Sequence, residues 1–328
     1  MIQLLAKVGI NGFFFCLIGM IVLAYFFPSF GTEQSILHLP QIAEYGVSFI
    51  FFFYGLKLNP EKLKAGLSNW RLHLVIQLTT FVLFPLIILA IGYLFPVDTS
   101  SLLWVGVFYL AALPSTVSSS VVMVAIAGGN LPAAIFNASI SSIIGIFITP
   151  IWMSGLLEQQ DANFDVSHVI IRLSLEVLLP VVLGYFLHQK WGKWVERYNS
   201  TLRIFDQCVI LLIVYTSFCE SFAGNMFSGH SAAEIIQLGF WMLLFFLAVL
   251  VSMNLVSHWL HFNRPDRITV LFCGSKKSLV QGAVMGKVLF PNPVMLGVVL
   301  LPLMIYHALQ LMVGSMIAQK MGQEGIER

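Results

Sequence analysis

Read from the amino end, the chain alternates long apolar stretches with short polar ones, and the stretches match the thickness of a bilayer. Ten stand out, near residues 8–27, 41–56, 72–95, 101–127, 131–156, 166–188, 202–223, 235–260, 267–290 and 294–318. A helix needs ~20 predominantly apolar residues to cross a hydrocarbon layer ~30 Å thick, so each stretch predicts a membrane-spanning helix, the second being the shortest. The first follows Lys7 as a signal peptide would. It has the length of a span and no small-residue cleavage site behind it, so it is read as a retained helix.

Composition excludes an ordinary soluble domain: of 328 residues, 58% are hydrophobic and 10% charged, and the mean hydropathy is +0.89. A formal net charge of +2 gives no reason to expect a nucleic-acid partner. Cys16, Cys208, Cys219 and Cys273 lie in or at the edge of apolar stretches without paired spacing. They read as small hydrophobes, with no disulfide framework, metal site or cofactor expected.

The basic residues are informative loop by loop. Lys57, Lys62, Lys64 and Arg71 fall in the second loop, Lys190, Lys193, Arg197 and Arg203 around the sixth, Arg264 and Arg267 around the eighth. The first, third, fifth and seventh loops contain none, while Lys7, Lys320 and Arg328 sit at the two ends. Short cytoplasmic loops carry the excess of Lys and Arg. Ten spans with both termini cytoplasmic satisfy that rule without a flipped loop, which predicts a multi-pass protein of the cell's inner membrane with lipid around it.

Five spans per half have a geometric consequence: two related units of odd span number enter the membrane in opposite senses. The expected architecture is all-α, ten transmembrane helices as two inverted five-helix repeats, residues 1–160 and 161–328, integrated into one membrane domain. Inverted repeats of this kind characterise many secondary transporters.

The fourth span of each half is interrupted. In the first half Pro114 is followed by Ser115, Thr116, Val117, Ser118, Ser119 and Ser120; in the second, Gly274-Ser275-Lys276-Lys277-Ser278 falls inside an apolar run. A charge at mid-bilayer costs ~3 kcal/mol or more and usually faces a partner, a cavity or a substrate. Broken helices at corresponding positions point to a midplane binding site, because freed backbone groups are tolerated only where they line a cavity or are buried in protein. Hydroxyls also serve helix packing, the reading preferred for Ser139, Ser141 and Ser142. Adjacent lysines diverge on a helix, so one is expected to face the site and the other to snorkel or neutralise a carboxylate. Candidate substrate- or ion-binding residues are thus Ser115, Thr116, Ser118, Ser119, Ser120, Ser275, Lys276, Lys277 and Ser278, with Gln77, Asn137, Glu220, Gln281 and His307 as intramembrane polar groups able to complete the site. Arg172 and Glu176, four residues apart, read as an ion pair on one helix, and Pro85, Pro180 and Pro302 as kinks.

At these residues the chain resembles a family. Pro114 to Pro150, with Gly128-Gly129-Asn130, Ala133-Ala134-Ile135-Phe136-Asn137 and Gly145-Ile146-Phe147-Ile148-Thr149-Pro150, is similar to the bile acid:sodium symporter superfamily. Tyr215 to Glu220, Phe272 to Leu279 and Tyr306-His307 match its sodium/bile acid cotransporter 7-like branch. The resemblance implies panel and core domains, with the fourth and ninth helices unwound and crossing. In sodium-coupled members it also implies two sodium ions beside the crossing, held by oxygen ligands that include a glutamate on the ninth helix. Here lysines stand where acidic or amide ligands are expected, and an ammonium repels sodium, so sodium coupling is not carried over intact.

The function expected is a secondary active transporter, a symporter type, moving a small organic anionic solute by alternating access. Coupling to Na+ or H+ is left open. The lysine can be a fixed cation in place of sodium, a counter-charge for the solute, or a proton carrier. A channel or leak pathway would show charge rings or a repeated pore motif, and an enzyme would cluster His, Asp or Glu at the membrane edge; neither pattern occurs. A regulator that moves nothing stays open.

Overall fold

A computed structural model describes residues 12–58, 69–157, 166–225, 231–290 and 292–326. Lys7, Lys62, Lys64, Arg328 and the boundary expected between residues 160 and 161 lie outside the described residues. The described chain is helical: α1 Gly12–Phe26, α2 Leu39–Lys57, α3 Trp70–Leu94, α4 Leu102–Ala112, α5 Ser118–Ala127, α6 Leu131–Leu157, α7 Ser167–Arg197, α8 Asn199–Ala223, α9 Ala232–Trp259, α10 Arg264–Gly274, α11 Leu279–Leu289 and α12 Pro293–Ile326. Six of these, α3, α6, α7, α8, α9 and α12, are long and apolar enough to cross a membrane alone. Helix ends differ from expectation where polar residues extend a helix beyond its apolar stretch, as at the end of α7 and of α12.

Local chemistry sets the starts and stops. Asn69, Ser101, Ser231, Asn263 and Ser278 each accept a hydrogen bond from the backbone N–H three residues on, capping α3, α4, α9, α10 and α11. Gly128, at φ 76°, closes α5 in the left-handed conformation that glycine adopts without penalty. The turn it begins is held by Asp266, whose two carboxylate oxygens accept from Asn69 Nδ2 and Asn130 Nδ2, both at 2.8 Å. One buried carboxylate thereby joins the starts of α3 and α10 to the α5–α6 turn.

Two prolines follow π turns. In α3 the helix widens into a π turn at Thr79–Leu83 just before Pro85. Pro85 has no N–H for the Phe81 carbonyl, which accepts instead from Trp152 Nε1 on α6 at 2.7 Å. Pro180 likewise follows a π turn, at Ser174–Leu178 in α7.

Large apolar side chains cover the outside as well as the core: Phe15, Leu86, Ile151, Phe186, Trp241 and Val251 are all exposed. A soluble monomer does not present apolar surface around its whole circumference, whereas lipid requires it. The protein is a multi-pass membrane protein.

Packing between helices relies on small residues at close approaches. Gly55 of α2 lies against the backbone of Val181 in α7, where a Cβ would come within 2.1 Å of the Val181 carbonyl oxygen. Gly184 of α7 returns the contact, its Cβ position 2.2 Å from the Phe52 carbonyl oxygen. Backbone cannot yield as a side chain tip can. Gly184→Ala is expected to separate the two helices and cost on the order of 1–3 kcal/mol, read as a lowered thermal midpoint of the purified protein; an unchanged midpoint would contradict the contact.

Candidate substrate and ion site

Both predicted interruptions are present, between α4 and α5 at residues 113–117 and between α10 and α11 at residues 275–278. Each flanking helix has 10 or 11 residues, a rise of only ~15–17 Å, so neither half could span a bilayer unaided.

The carbonyls stripped by the first interruption can be followed one by one. Ala111 O accepts from Lys277 Nζ at 2.7 Å, Ala112 O from Thr149 Oγ1 at 2.8 Å, Leu113 O from Lys277 Nζ at 2.7 Å and Pro114 O from Ser278 N at 3.0 Å. The second interruption is answered from the first. Cys273 O accepts from Ser115 Oγ at 2.7 Å and Phe272 O from Ser120 Oγ at 3.1 Å, while Leu271 O is taken by Ser275 Oγ at 2.7 Å and Ser275 O by Tyr306 Oη at 2.8 Å. Ser115 N donates to Ser141 Oγ at 3.0 Å. The serine-rich break and the lysine pair therefore meet, as the transporter expectation required.

Lys277 and Lys276 are both fully buried and differ in what they touch. Lys277 Nζ donates to Thr80 O, Ala111 O and Leu113 O, each at 2.7 Å, which uses all three of its donors. It also stands 4.1 Å from the centre of the Phe84 ring, within cation–π range. The Thr80 carbonyl is available because it belongs to the π turn of α3. Lys276 Nζ meets Met123 Sδ and stands 5.6 Å from the Phe272 ring centre. The sequence reading expected one lysine to face the site and the other to snorkel or neutralise a carboxylate. Both are buried, and among the described residues no carboxylate forms an ion pair with either.

A family model for the SBF-like CPA transporter family matches residues 11–323. The chain belongs to that family. It is 36% identical over 319 residues to "Putative symporter YfeH" of Escherichia coli strain K12, covering 95% of this chain and 92% of that protein. Identity is 31% over 322 residues with "Sodium/bile acid cotransporter 7-B" of Xenopus laevis, covering 96% and 92%, and 30% over 324 residues with "Sodium/bile acid cotransporter 7" of Danio rerio, covering 96% and 94%. The bile acid:sodium symporter superfamily resemblance seen in the sequence is thus correct, and the protein is a transporter rather than an enzyme.

The remaining candidates divide into three places. Thr116 and Ser119 share a hydrogen bond at 3.2 Å within the first break; Ser118 begins α5, and its side chain lies outside the described set. Gln281 N donates to the capping Ser278 Oγ, while its own buried Oε1 has no hydrogen-bond partner among the described residues. His307 Nδ1 lies 2.8 Å from Gln310 Nε2, and Gln310 clamps the backbone N and O of Lys277, both at 2.8 Å. Asn137 and Gln77 sit apart from these: with His73 they hydrogen-bond to one another between α6 and α3.

Glu220 lies elsewhere, on the wall of a cavity of about 420 Å³ whose lining includes Glu33, Glu44, Glu176, Arg172 and Lys287. It accepts from Glu33 N at 2.6 Å, not from either buried lysine. The predicted pair is present, Arg172 Nε to Glu176 Oε1 at 2.7 Å, but Arg172 also reaches Glu44 at 3.6 Å across the cavity. The sequence reading therefore missed the cavity's composition, since Glu33 and Glu44 carry no motif and come from a different part of the chain. It also missed Ser141 and Thr149, read as packing or not singled out, whose hydroxyls serve the first break.

Removing the Lys277 ammonium leaves three buried carbonyls without donors. Lys277→Ala is expected to cost about 3–5 kcal/mol, measured as thermal or denaturant stability in detergent. Added methylammonium should restore part of the loss in the variant and leave the parent unchanged; a variant as stable as the parent would show that the carbonyls do not depend on this ammonium.

Proposed function

We propose that the protein is a secondary active transporter of ten transmembrane helices in two inverted five-helix repeats, moving a small organic solute by alternating access around the joined interruptions. The observation that carries this reading is the ammonium of Lys277 bonded to three backbone carbonyls at 2.7 Å. A ring of carbonyl oxygens around one positive charge is the kind of environment that otherwise holds a dehydrated alkali cation. Here the cation is covalently attached, so the crossing is held together without a mobile ion. Sodium then has no place in that ring, and a sodium gradient is not the driving force.

The reciprocal bonding of the breaks supports the inverted-repeat reading: Ser115 of the first donates to Cys273 before the second, and Ser278 of the second donates to Pro114 of the first. The side on which the cavity opens follows from loop charge. Glu33, Glu44 and Glu220 lie near loops devoid of Lys and Arg, which the positive-inside rule puts on the outer face. On this reading the cavity belongs to an outward-open state, and the core rocks against the panel to reach the inward one.

Solute preference follows from the cavity wall. Arg172 is committed to Glu176 and Glu44, whereas Lys287 Nζ donates to the Pro40 carbonyl at 3.0 Å and has donors to spare. Lys287 supplies the counter-charge for an anionic group. Four carboxylates stand around it against two cations, which repels a simple anion and favours one that also carries an amine.

The test is uptake into proteoliposomes of labelled small carboxylates, sulfonates and their amino derivatives, with external sodium present or replaced by N-methylglucamine. Saturable uptake of an amino acid or aminosulfonate, unaffected by removing sodium and reduced at least about tenfold in Lys287→Gln (about 1.4 kcal/mol of binding), is the expected result. Flux linear in concentration would indicate a channel, and strict sodium dependence would overturn the tethered-cation reading.

A further inference from the structure

Lys276 and Lys277 are neighbours in sequence and opposites in surroundings, and only the second has oxygen acceptors. We propose that Lys276 is the proton-accepting group of the crossing: a neutral amine in this conformation that takes up a proton when the interrupted helices part. Its service as the coupling group rests on the transport reading above; its protonation behaviour does not.

The argument is an accounting of acceptors around Nζ. The last carbonyls of α10, which would suit a cation, each accept from a serine hydroxyl instead: Leu271 from Ser275, Phe272 from Ser120 and Cys273 from Ser115. Ser275 O is held by Tyr306 and Lys277 O by Gln310. Beside Nζ stand the Met123 thioether from α5 and the Phe272 ring, and Gly314 on α12 lies against the same side chain, its Cβ position 3.5 Å from Lys276 Cε.

The titratable groups that act on Lys276 are the Cys273 thiol on its own element and the His307 imidazole on α12. The Lys277 ammonium follows directly in the chain, and no described carboxylate forms an ion pair with Lys276. The ring contributes ~0.5–2 kcal/mol to an ammonium, whereas an isolated charge taken from water into apolar surroundings costs several kcal/mol even after relaxation. A second positive charge beside Lys277 adds repulsion. Desolvation wins, and the amine holds a lone pair.

His307 is tied to the clamp that holds the Lys277 backbone. Gln310 Oε1 accepts from Lys277 N and its Nε2 donates to Lys277 O, which fixes the amide's orientation, so its second N–H donates to His307 Nδ1. In neutral His307 the hydrogen then resides on Nε2. The half-buried imidazole is the acid–base group on α12 that interacts electrostatically with Lys276. Uptake is a simple transfer: the Nζ lone pair forms an N–H bond with a proton released by hydronium or by the His307 imidazolium, and nothing is oxidised or reduced.

The experiment is 15N NMR of lysine side chains in the full-length protein, 15N-labelled at lysine and held in lipid nanodiscs, between about pH 5 and about pH 10. One Nζ resonance is expected at the neutral-amine position near neutral pH, converting to ammonium on acidification and absent from Lys276→Gln. Lys276→Met, which preserves an unbranched apolar side chain, gives the same assignment where the glutamine variant does not fold. The Lys277 resonance should stay in the ammonium form throughout. Lys276 seen only as ammonium, or a neutral resonance that persists in both variants, would overturn the proposal. A titrating Lys276 in a protein that moves no solute would remove the transport reading and leave the proton acceptor standing, so the two fail separately.

Discussion

Inside a hydrocarbon layer, a backbone carbonyl that loses its helical partner must find another donor in the protein, because water is absent. That single requirement organises the centre of this molecule. Two helices are broken where an unbroken one would be the default, and several of the orphaned carbonyls at each break are met by donors of the other. Ser115 and Ser120 serve the end of α10; Lys277 and Ser278 serve the end of α4. Neither break is satisfied alone, so the two must form together, and the helices that carry them are fixed against one another in depth as well as contact.

Lys277 shows how a costly group becomes structural. Its three donors match three acceptors from two different helices, one supplied by a π turn and two by a proline-induced interruption. A mobile cation could satisfy the same oxygens but would leave and return with its concentration outside. A tethered one cannot, which separates the stability of the crossing from ion binding. The adjacent Lys276 lacks such a set, and that contrast between neighbours carries chemistry the pair of letters does not reveal.

The cavity obeys a different logic from the crossing. It is lined by charged side chains from segments near one end of the bundle, with Arg172 bridging Glu44 and Glu176 and Lys287 anchored only to a carbonyl. Four carboxylates stand against two cations around this open space. The joined breaks, by contrast, are buried, and their backbone carbonyls are met by donors from the protein.

What the sequence determined by itself was whatever depends on local composition and spacing. Apolar length announced the membrane helices, loop charge suggested their sense, and Pro114 with its serines and the lysine pair marked where helices break, because proline, hydroxyls and ammonium groups are anomalous in lipid wherever they fold. Tertiary structure decided which atoms those anomalies meet. Ser141 and Thr149 look like packing residues until α6 lies beside the break, and only the fold shows that Asn137 bonds to Gln77 and His73. Which of two adjacent lysines obtains the carbonyls is likewise settled only by contacts between residues up to 197 positions apart. Hydrogen bonds are short and directional, so their partners follow from three-dimensional placement, while the cost of burying a charge follows from the residue alone.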